Sequence, residues 1–417
     1  MQTTRLDEGL YQTTADNGVT VLSEVLPGVR SVAVGMWVRT ASAHEVRAQM
    51  GISHLLEHMV FKGTERRSAR EIALELEVRG GALDAFTSRD HTSYQARVLD
   101  EDLPRALDVL TDLVRNPALR ETDLTLERKV VLEEINTVED TPDDLVFDLH
   151  AAMLWPDHPY GYSILGTRET VGGLRTEDLR ALHTRAYHPR HVVIAAAGSL
   201  NHEVLLKLLT RCGWFTFDGG PDPVPVVQTP AGGHGERRVH RDSAQVHIVT
   251  GRDTFPYGDH RRYALMLLNT VLGGGMSSRL FQRVREELGL AYAIYTFQSF
   301  YQHAGLTGVY VGTHPSTAEQ AAETITTELA RLAAEGLDAA TLAEAAQQLK
   351  GQVTLSLESP VARMHRLATL ALHNEPYRTI DQVLTEIDQV RIDDVNAVAE
   401  GYLAPEQHAV VWLGPTM

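Results

Sequence analysis

The chain repeats itself, and no other feature limits its fold as strongly. Arg175-Thr-Glu-Asp178-Leu179, Tyr187 and a β-rich run ending at Gly198 are matched by Arg391-Ile-Asp-Asp394-Val395, Tyr402 and a β-rich run ending at Gly414, at offsets of 216, 215 and 216. A second correspondence sets Tyr94-Gln-Ala-Arg-Val98 and a helical pattern over 102–114 against Leu306-Thr-Gly-Val-Tyr-Val311 and a helical pattern over 316–332, at an offset near 213. Ordered agreement at both ends of a half implies two homologous domains in tandem, and 417 residues suit two cores better than one. Between the halves, 219–235 holds four prolines and five glycines in 17 residues, the composition of a connecting loop. The expected division is therefore 1–217, a linker over 218–235, and 236–417.

Each half reads as strand, strand, helix, strand, long helices, strand. Strands are expected over 18–22, where Asn17-Gly18 supplies the preceding turn, and over 31–38; helices are expected over 68–79, 103–114 and 123–138. The apolar run 192–197 reads as one buried strand. Strands in hairpin-like succession with helices grouped between them predict an α+β fold: two homologous domains, each a mostly antiparallel β-sheet covered by helices on one face. At 43 % hydrophobic and 22 % charged residues the chain is of globular composition. It has no apolar run long enough to cross a membrane, and its acidic first residues do not resemble a secretory signal. One cysteine, Cys212, excludes an intrachain disulfide, so a cytoplasmic location is expected. Fifty-five acidic against 38 basic side chains give −17 and no basic stripe, which weighs against nucleic acid.

Chemistry concentrates in Gly51-Ile-Ser-His54-Leu-Leu-Glu57-His58-Met-Val-Phe61. On a helix at about 100° per residue, His58 lies about 40° from His54 and Glu57 about 60° the other way, while Ile52, Leu55, Leu56, Met59 and Val60 share the opposite side. Ser53 stands near the helix start, in a position to cap it. Histidines four apart can hold one metal ion, and a carboxylate beside them that is not a ligand can take a proton from water polarised by that ion. A third protein ligand is needed. The helix over 122–138 offers Glu127 and Glu134, seven apart and about 20° from each other on the wheel, with Glu133 about 100° from Glu134. From the residues alone, a solvated polar face and a solvated acidic helix account for the same patterns.

The His-x-x-Glu-His motif followed 76 residues after its last histidine by Glu134 resembles the pitrilysin/insulinase-type (M16, inverzincin) zinc metallopeptidases. Within these, it is similar to bacterial relatives of the mitochondrial processing peptidase β subunit, over essentially the whole chain. The resemblance implies a zinc endopeptidase with His54, His58 and Glu134 as ligands, Glu57 as general base and Glu127 behind the ligands. His2Glu sites also accept cobalt or manganese. In the second half, Leu267-Leu-Asn-Thr-Val271 stands at the repeat position of the motif without a ligand-type side chain, so one Zn2+ per chain is expected.

Arg285 and Tyr292 match a pair that, in the family, reaches the active site from the second half and can donate to an oxyanion. The preceding Gly273–Gly275 run lacks the Lys-Ser/Thr of a phosphate loop. The segment 80–94 resembles the family's substrate-pairing edge strand, with Asp84, Ala85 and Phe86 as substrate-binding positions. Asp84 stands where the family usually has Asn, and an ionised carboxylate accepts but does not donate.

Partners implied are unfolded peptides, with basic residues agreeing with the −17 balance, and a second copy of the chain in a homodimer whose active sites are shared. Two rival readings are a non-catalytic core subunit and a half-enzyme needing a different chain. His91, His150, His158 and His188 read as structural or turn residues, and 155–161 as an aromatic-packing loop.

Overall fold

The computed structural model describes residues 1–216 and 226–415. Of the expected linker, 218–225 lies outside the described residues, and 226–234 carries neither helix nor strand. The described chain forms two compact units that interleave in sequence. The first comprises Met1–Ile135, Ser163–Val227 and Ser356–Tyr377; the second comprises Asn136–Tyr162, Gln228–Leu355 and Arg378–Met417. These packed units differ from the expected division at 217 and 236 by exchanging 136–162 and 356–377.

The first unit is built on strands β1 (Gln2–Asp7), β2 (Leu10–Thr14), β3 (Thr20–Val25), β4 (Ser31–Val38), β5 (Ala82–Thr87), β6 (Thr92–Leu99) and β7 (Val192–Gly198). Its helices include α1 (Ile52–Val60), α2 (Ala69–Glu77), α3 (Leu103–Arg115) and most of α4 (Glu121–Glu139). After α5 (Pro142–Leu154), which belongs to the second unit, come α6 (Arg168–Gly173), α7 (Thr176–Ala186) and α8 (His202–Arg211) in the first. The sheet order is β1-β2-β3-β7-β4-β6-β5, with every pair antiparallel except β3 and β7.

The second unit has strands β8 (Gly235–His240), β9 (Val246–Thr254), β10 (Ala291–Phe300), β11 (Gly305–Thr313) and β12 (Ala409–Gly414) in the order β10-β11-β9-β12-β8, with only β12 and β8 parallel. Its helices are α9 (Arg262–Gly273), α10 (Ala318–Glu335), α11 (Ala339–Ser356), α13 (Ile380–Asp388) and α14 (Ile392–Tyr402); α12 (Pro360–Leu372), between α11 and α13 in sequence, packs in the first unit. Strand for strand, β10-β11-β9-β12-β8 repeats β5-β6-β4-β7-β3, so the internal duplication is visible in the topology.

The fold is α+β with mostly antiparallel sheets, as expected, but helices cover both faces of the first sheet. Along β7, Val192, Ile194 and Ala196 enter the core formed with α1 and α3, while Val193, Ala195 and Ala197 pack with Met364, Leu367, Ala368 and Leu372 of α12. A strand that is apolar at every position must be buried on both sides. The second sheet follows the same rule, with Val249, Val411 and Leu413 packed with Val146 of α5.

Boundaries moved little. The expected strand at 18–22 starts at Thr20, because Gly18, at φ +98°, belongs to the turn. The hairpin of β1 and β2 lies outside the expected pattern, since β1 is a polar, exposed strand with no apolar alternation.

Candidate metal centre

Helix α1 starts where its backbone is forced to. Gly51 is the N-cap at φ +90°, and a Cβ there would lie 2.5 Å from the Leu165 carbonyl oxygen. The Glu45 carboxylate accepts from the Gly51 N–H (2.8 Å) and the Ser53 N–H (2.9 Å), satisfying two of the donors that a helix start leaves free. Ser53 is thus inside the first turn, and Glu45 does the capping expected of it. Burial pushes the Glu45 carboxyl up to about 7, against the two amide bonds that favour its charge. Gly51→Ala is expected to destabilise the fold by at least about 1–2 kcal/mol from the left-handed backbone alone, read as a lower thermal midpoint. An unchanged midpoint contradicts this account of the cap.

The α1 side chains divide as the wheel requires. Ile52, Leu55, Leu56, Met59 and Val60 are buried in the first unit's core. On the other side, the His54 and His58 rings sit 4.6 Å apart, nearly edge to face. Helix α4 brings Glu134 to them, with its Oε2 at 3.7 Å from His54 Nε2 and 3.6 Å from His58 Nε2. These three residues form a group whose ligand atoms all lie within 4.8 Å of one another. Tetrahedral zinc with arms of about 2.0–2.1 Å needs ligand atoms about 3.4 Å apart, and the two distances to Glu134 Oε2, 3.7 and 3.6 Å, are within a few tenths of an ångström of that. Glu134 Oε2 is buried without a hydrogen-bond partner among the described residues, as a donor atom aimed at a cation would be. Burial, and then the neighbouring His58, lower the His54 pKa to about 3, which keeps the ring in the neutral form a metal requires.

Two turns earlier on α4, Glu127 Oε2 lies 3.1 Å from His58 Nδ1, and its Oε1 lies 2.6 Å from the Lys62 ammonium. With Nδ1 engaged by this carboxylate, His58 presents Nε2 toward Glu134. Glu57 is buried beside the cluster and accepts from the Thr87 hydroxyl at 2.6 Å through Oε2. Burial raises its pKa, partly offset by the Thr87 bond and the charge of His58.

Asp84, Ala85 and Phe86 lie on β5, the edge strand beyond β6. Leu83 and Ala85 pack toward the α1 core, Asp84 Oδ1 accepts from its neighbour's N–H (Ala85), and the Phe86 ring stacks on His365 of α12. Arg285 and Tyr292 belong to the second unit. Arg285 lies in a π-helical segment, Phe281–Glu287, donates to the Tyr292 carbonyl at 2.8 Å, and places its guanidinium 4.6 Å from the Tyr292 ring centre. The Tyr292 side chain is largely exposed. In α9, Leu267 and Leu268 are core residues, Asn269 bonds Gln298 and Thr307, and the Thr270 hydroxyl donates to the Met266 carbonyl.

His150 and His158 bond the carbonyls of Ala409 and Gln228, and His188 Nδ1 accepts the Arg190 N–H. His91 sits in the β5–β6 turn, and Trp155, Tyr160 and Tyr301 pack together as an aromatic group. Sequence reasoning missed Glu45, Lys62 and Thr87. Lys62 falls four residues after His58 and Thr87 at an alternate position of β5, which are weak signals; Glu45 lies in a turn with no periodicity to mark it.

The duplicated sheet order and the two-histidine, one-carboxylate group are the features on which comparison with known proteins turns. Residues 20–168 match the insulinase family (peptidase family M16), and 173–349 match the peptidase M16 inactive domain. The chain is 39 % identical to an uncharacterized zinc protease, YmxG, of Bacillus subtilis (strain 168), over 97 % of this chain and 98 % of that one. It is 38 % identical to an uncharacterized zinc protease of Streptomyces coelicolor, over 94 % of this chain and 87 % of the other. Its fold is like that of a protease from Helicobacter pylori, with TM-score 0.90 at 22 % identity, covering 97 % of this chain and 99 % of that one. The chain belongs to peptidase family M16. No helix among the described residues is long and apolar enough to cross a membrane.

Proposed function

We propose that the protein is a zinc-dependent endopeptidase that hydrolyses unfolded peptides. The observation that carries this reading is the convergence of His54 Nε2, His58 Nε2 and the unpartnered Glu134 Oε2, with Glu57 buried alongside. His54, His58 and Glu134 are the residues that would hold one Zn2+ per chain. Zinc bound by such a set acts as a Lewis acid and lowers the pKa of water toward neutrality.

The chain's own groups do the rest. Glu57, with Oε2 held by Thr87, has Oε1 left to take a proton from the attacking water and deliver it to the leaving nitrogen. Glu127, anchored by Lys62, fixes the His58 ring. The peptide adds to β5 as a further strand through its backbone. Arg285 and Tyr292 donate to the carbonyl oxygen as it gains charge. The protein acts in the cytoplasm as a homodimer, each active site taking Arg285 and Tyr292 from the opposite copy.

Glu134→Gln is expected to lower bound zinc well below one per chain, measured by elemental analysis of purified protein. Full zinc content in that variant would remove Glu134 from the ligand set. The reaction is tested by cleavage of a peptide mixture with and without chelator, with Glu57→Gln as the blank. Absence of both zinc and cleavage in the wild-type chain favours the non-catalytic core subunit, and zinc without cleavage favours a half-enzyme. Sharing is tested by mixing: Glu57→Gln chains and Arg285→Ala/Tyr292→Phe chains, each inactive alone, should recover activity after subunit exchange. Continued inactivity with exchange verified removes the shared site.

A further inference from the structure

The first unit carries a cavity at the edge of its sheet away from the metal centre. It lies between the β1–β2 turn, the end of β3 and the start of α8, and its volume is about 660 Å³, inside the range of about 300–1,000 Å³ typical of small-molecule sites. In the sheet order β2 and β5 stand five strand spacings apart, about 24 Å at about 4.8 Å each. The cavity is therefore separate from the group formed by His54, His58 and Glu134.

Two stacked rings line it that the proposed reaction does not use. Tyr11 of β2 stacks on His202, the first residue of α8, with ring centres 5.2 Å apart and 21° between planes. His202 is buried, and both of its nitrogens are engaged: Nε2 with the Thr13 hydroxyl and Nδ1 with the Ser23 hydroxyl, each at 2.8 Å. Burial lowers the His202 pKa, against the opposing charge of Glu203, so the ring is a neutral surface fixed in orientation. Val25 and Pro27 add apolar wall. The Val25 N–H donates to the Gly9 carbonyl at 2.9 Å, which holds the β1–β2 turn, and with it Glu8, against the end of β3.

The charge of the lining has one sign. Glu8 and Glu203 both line the cavity, and neither carboxylate has a hydrogen bond or ion pair among the described residues. No lysine or arginine lines it among the described residues. Arg5, opposite Tyr11 across β1 and β2, turns its Nε to the Asp7 carbonyl at 3.1 Å. The start of α8 contributes only about half a positive charge, and Asn201 Oδ1 already accepts the Val204 N–H there at 3.0 Å. Two carboxylates outweigh it, so the cavity favours a cation.

We propose that this cavity binds a small organic cation, an amine with an aromatic or apolar body, whose ammonium pairs with Glu8 and Glu203 while its body packs on Tyr11, Val25 and Pro27. An ammonium beside a tyrosine ring gains from the ring's negative face as well as from the carboxylates. A bare metal ion would not use the rings or the apolar wall. Among the described residues, only His54, His58 and Glu134 bring three metal-ligating groups close enough to share an ion. The inference goes beyond the peptidase reading and stands without it.

The test uses the full-length protein with its metal and three probes of similar shape: 2-phenylethylamine, the neutral 2-phenylethanol and the anionic phenylacetate. Binding is measured at neutral pH as Kd by ligand-observed NMR titration. The amine is expected to bind with Kd of about 1 mM or tighter, a realistic affinity for a ligand of this size. It should bind at least about tenfold more tightly than the alcohol, as paired charge and a cation–π contact imply, and phenylacetate should not bind measurably. Glu8→Gln/Glu203→Gln should bring the amine and the alcohol to similar Kd values. Tyr11→Leu, which keeps an apolar side chain, should weaken the amine several-fold; thermal melts check that both variants fold. Glu134→Gln should leave amine binding unchanged, which separates this cavity from an amine ligating the metal.

No binding of the amine up to about 10 mM overturns the site, as do equal affinities for amine and alcohol in the wild-type chain. Binding that survives both Glu8→Gln/Glu203→Gln and Tyr11→Leu, or that disappears in Glu134→Gln, also overturns it by placing the amine elsewhere. Charge-dependent binding in a chain that cleaves no peptide supports the site while defeating the peptidase reading.

Discussion

Glu57→Gln is expected to lower kcat for peptide cleavage by about 10²–10⁴-fold, the usual share of a general acid–base group, while zinc content stays at the wild-type level. The two readouts separate because Glu57 is outside the three-atom group formed by His54, His58 and Glu134. Glutamine preserves the shape of the side chain and still offers an oxygen to the Thr87 hydroxyl, now at 2.6 Å from Oε2. It cannot accept and return a proton. Stability should hold or rise slightly, because burial works against the charge of Glu57 and an amide carries none. A fall of less than tenfold, with zinc retained, would take the general-base role away from Glu57. Loss of zinc would instead place Glu57 among the ligands, which the present geometry argues against. Glu134→Gln, by contrast, should lower zinc and activity together, so the pair of variants distinguishes holding the ion from moving the proton.

What the sequence disclosed of this centre depended on periodicity. His54, Glu57 and His58 stand four or fewer residues apart on an amphipathic helix, and Glu127 and Glu134 seven apart on another, so simple wheel arithmetic grouped them before any contact was known. The residues that support them lacked such regularity. Glu45 caps α1 from a turn six residues before Gly51, and nothing in local spacing distinguishes it from other surface acids. Thr87 reaches Glu57 across 30 residues of chain through sheet pairing. For the fold, the repeat was legible because both halves keep the same strand order. The exchange of α5 and α12 was not, because a helix pattern records that one face is apolar and says nothing of which sheet it covers. One clue was present: 192–197 is apolar at every position, and a strand buried on both faces requires a second helical layer. His365 follows from the same exchange. It lies 279 positions after Phe86, and only the packing of α12 on the first sheet brings the two rings together.

Arg67→Met is expected to be strongly destabilising although it lies away from the metal ligands. The Arg67 guanidinium donates to Asp112 at 2.7 Å and to Glu75 at 2.9 Å, and also bonds Asp108. Its side chain is 7 % exposed and that of Asp112 only 1 %. The residue thereby joins the loop after α1 to α2 and α3, and Thr64 in the same loop adds a hydroxyl bond to Asp112 at 2.8 Å. Removing the cation leaves Asp112 as a buried charge with the neutral Thr64 hydroxyl as a close donor and, as its remaining cation, the Arg66 guanidinium at 3.9 Å, a defect whose cost is about 3–5 kcal/mol when a buried pair is broken outright. Asp108 and Glu75 are 41 % and 26 % exposed, so water takes over part of their solvation and they contribute little to the loss. The expected value is therefore near the lower end, about 3 kcal/mol, or a thermal midpoint lower by about 6–12 °C for a unit of this size. Adding Asp112→Asn should recover a substantial part of the loss, because the amide keeps the Thr64 bond without the stranded charge. If Arg67→Met alone melts within about 2 °C of the wild type, the cluster is a set of independent surface pairs rather than the tie between these helices. If the double variant is no better than the single, the penalty lies in lost packing of the arginine stem, and not in the charge of Asp112.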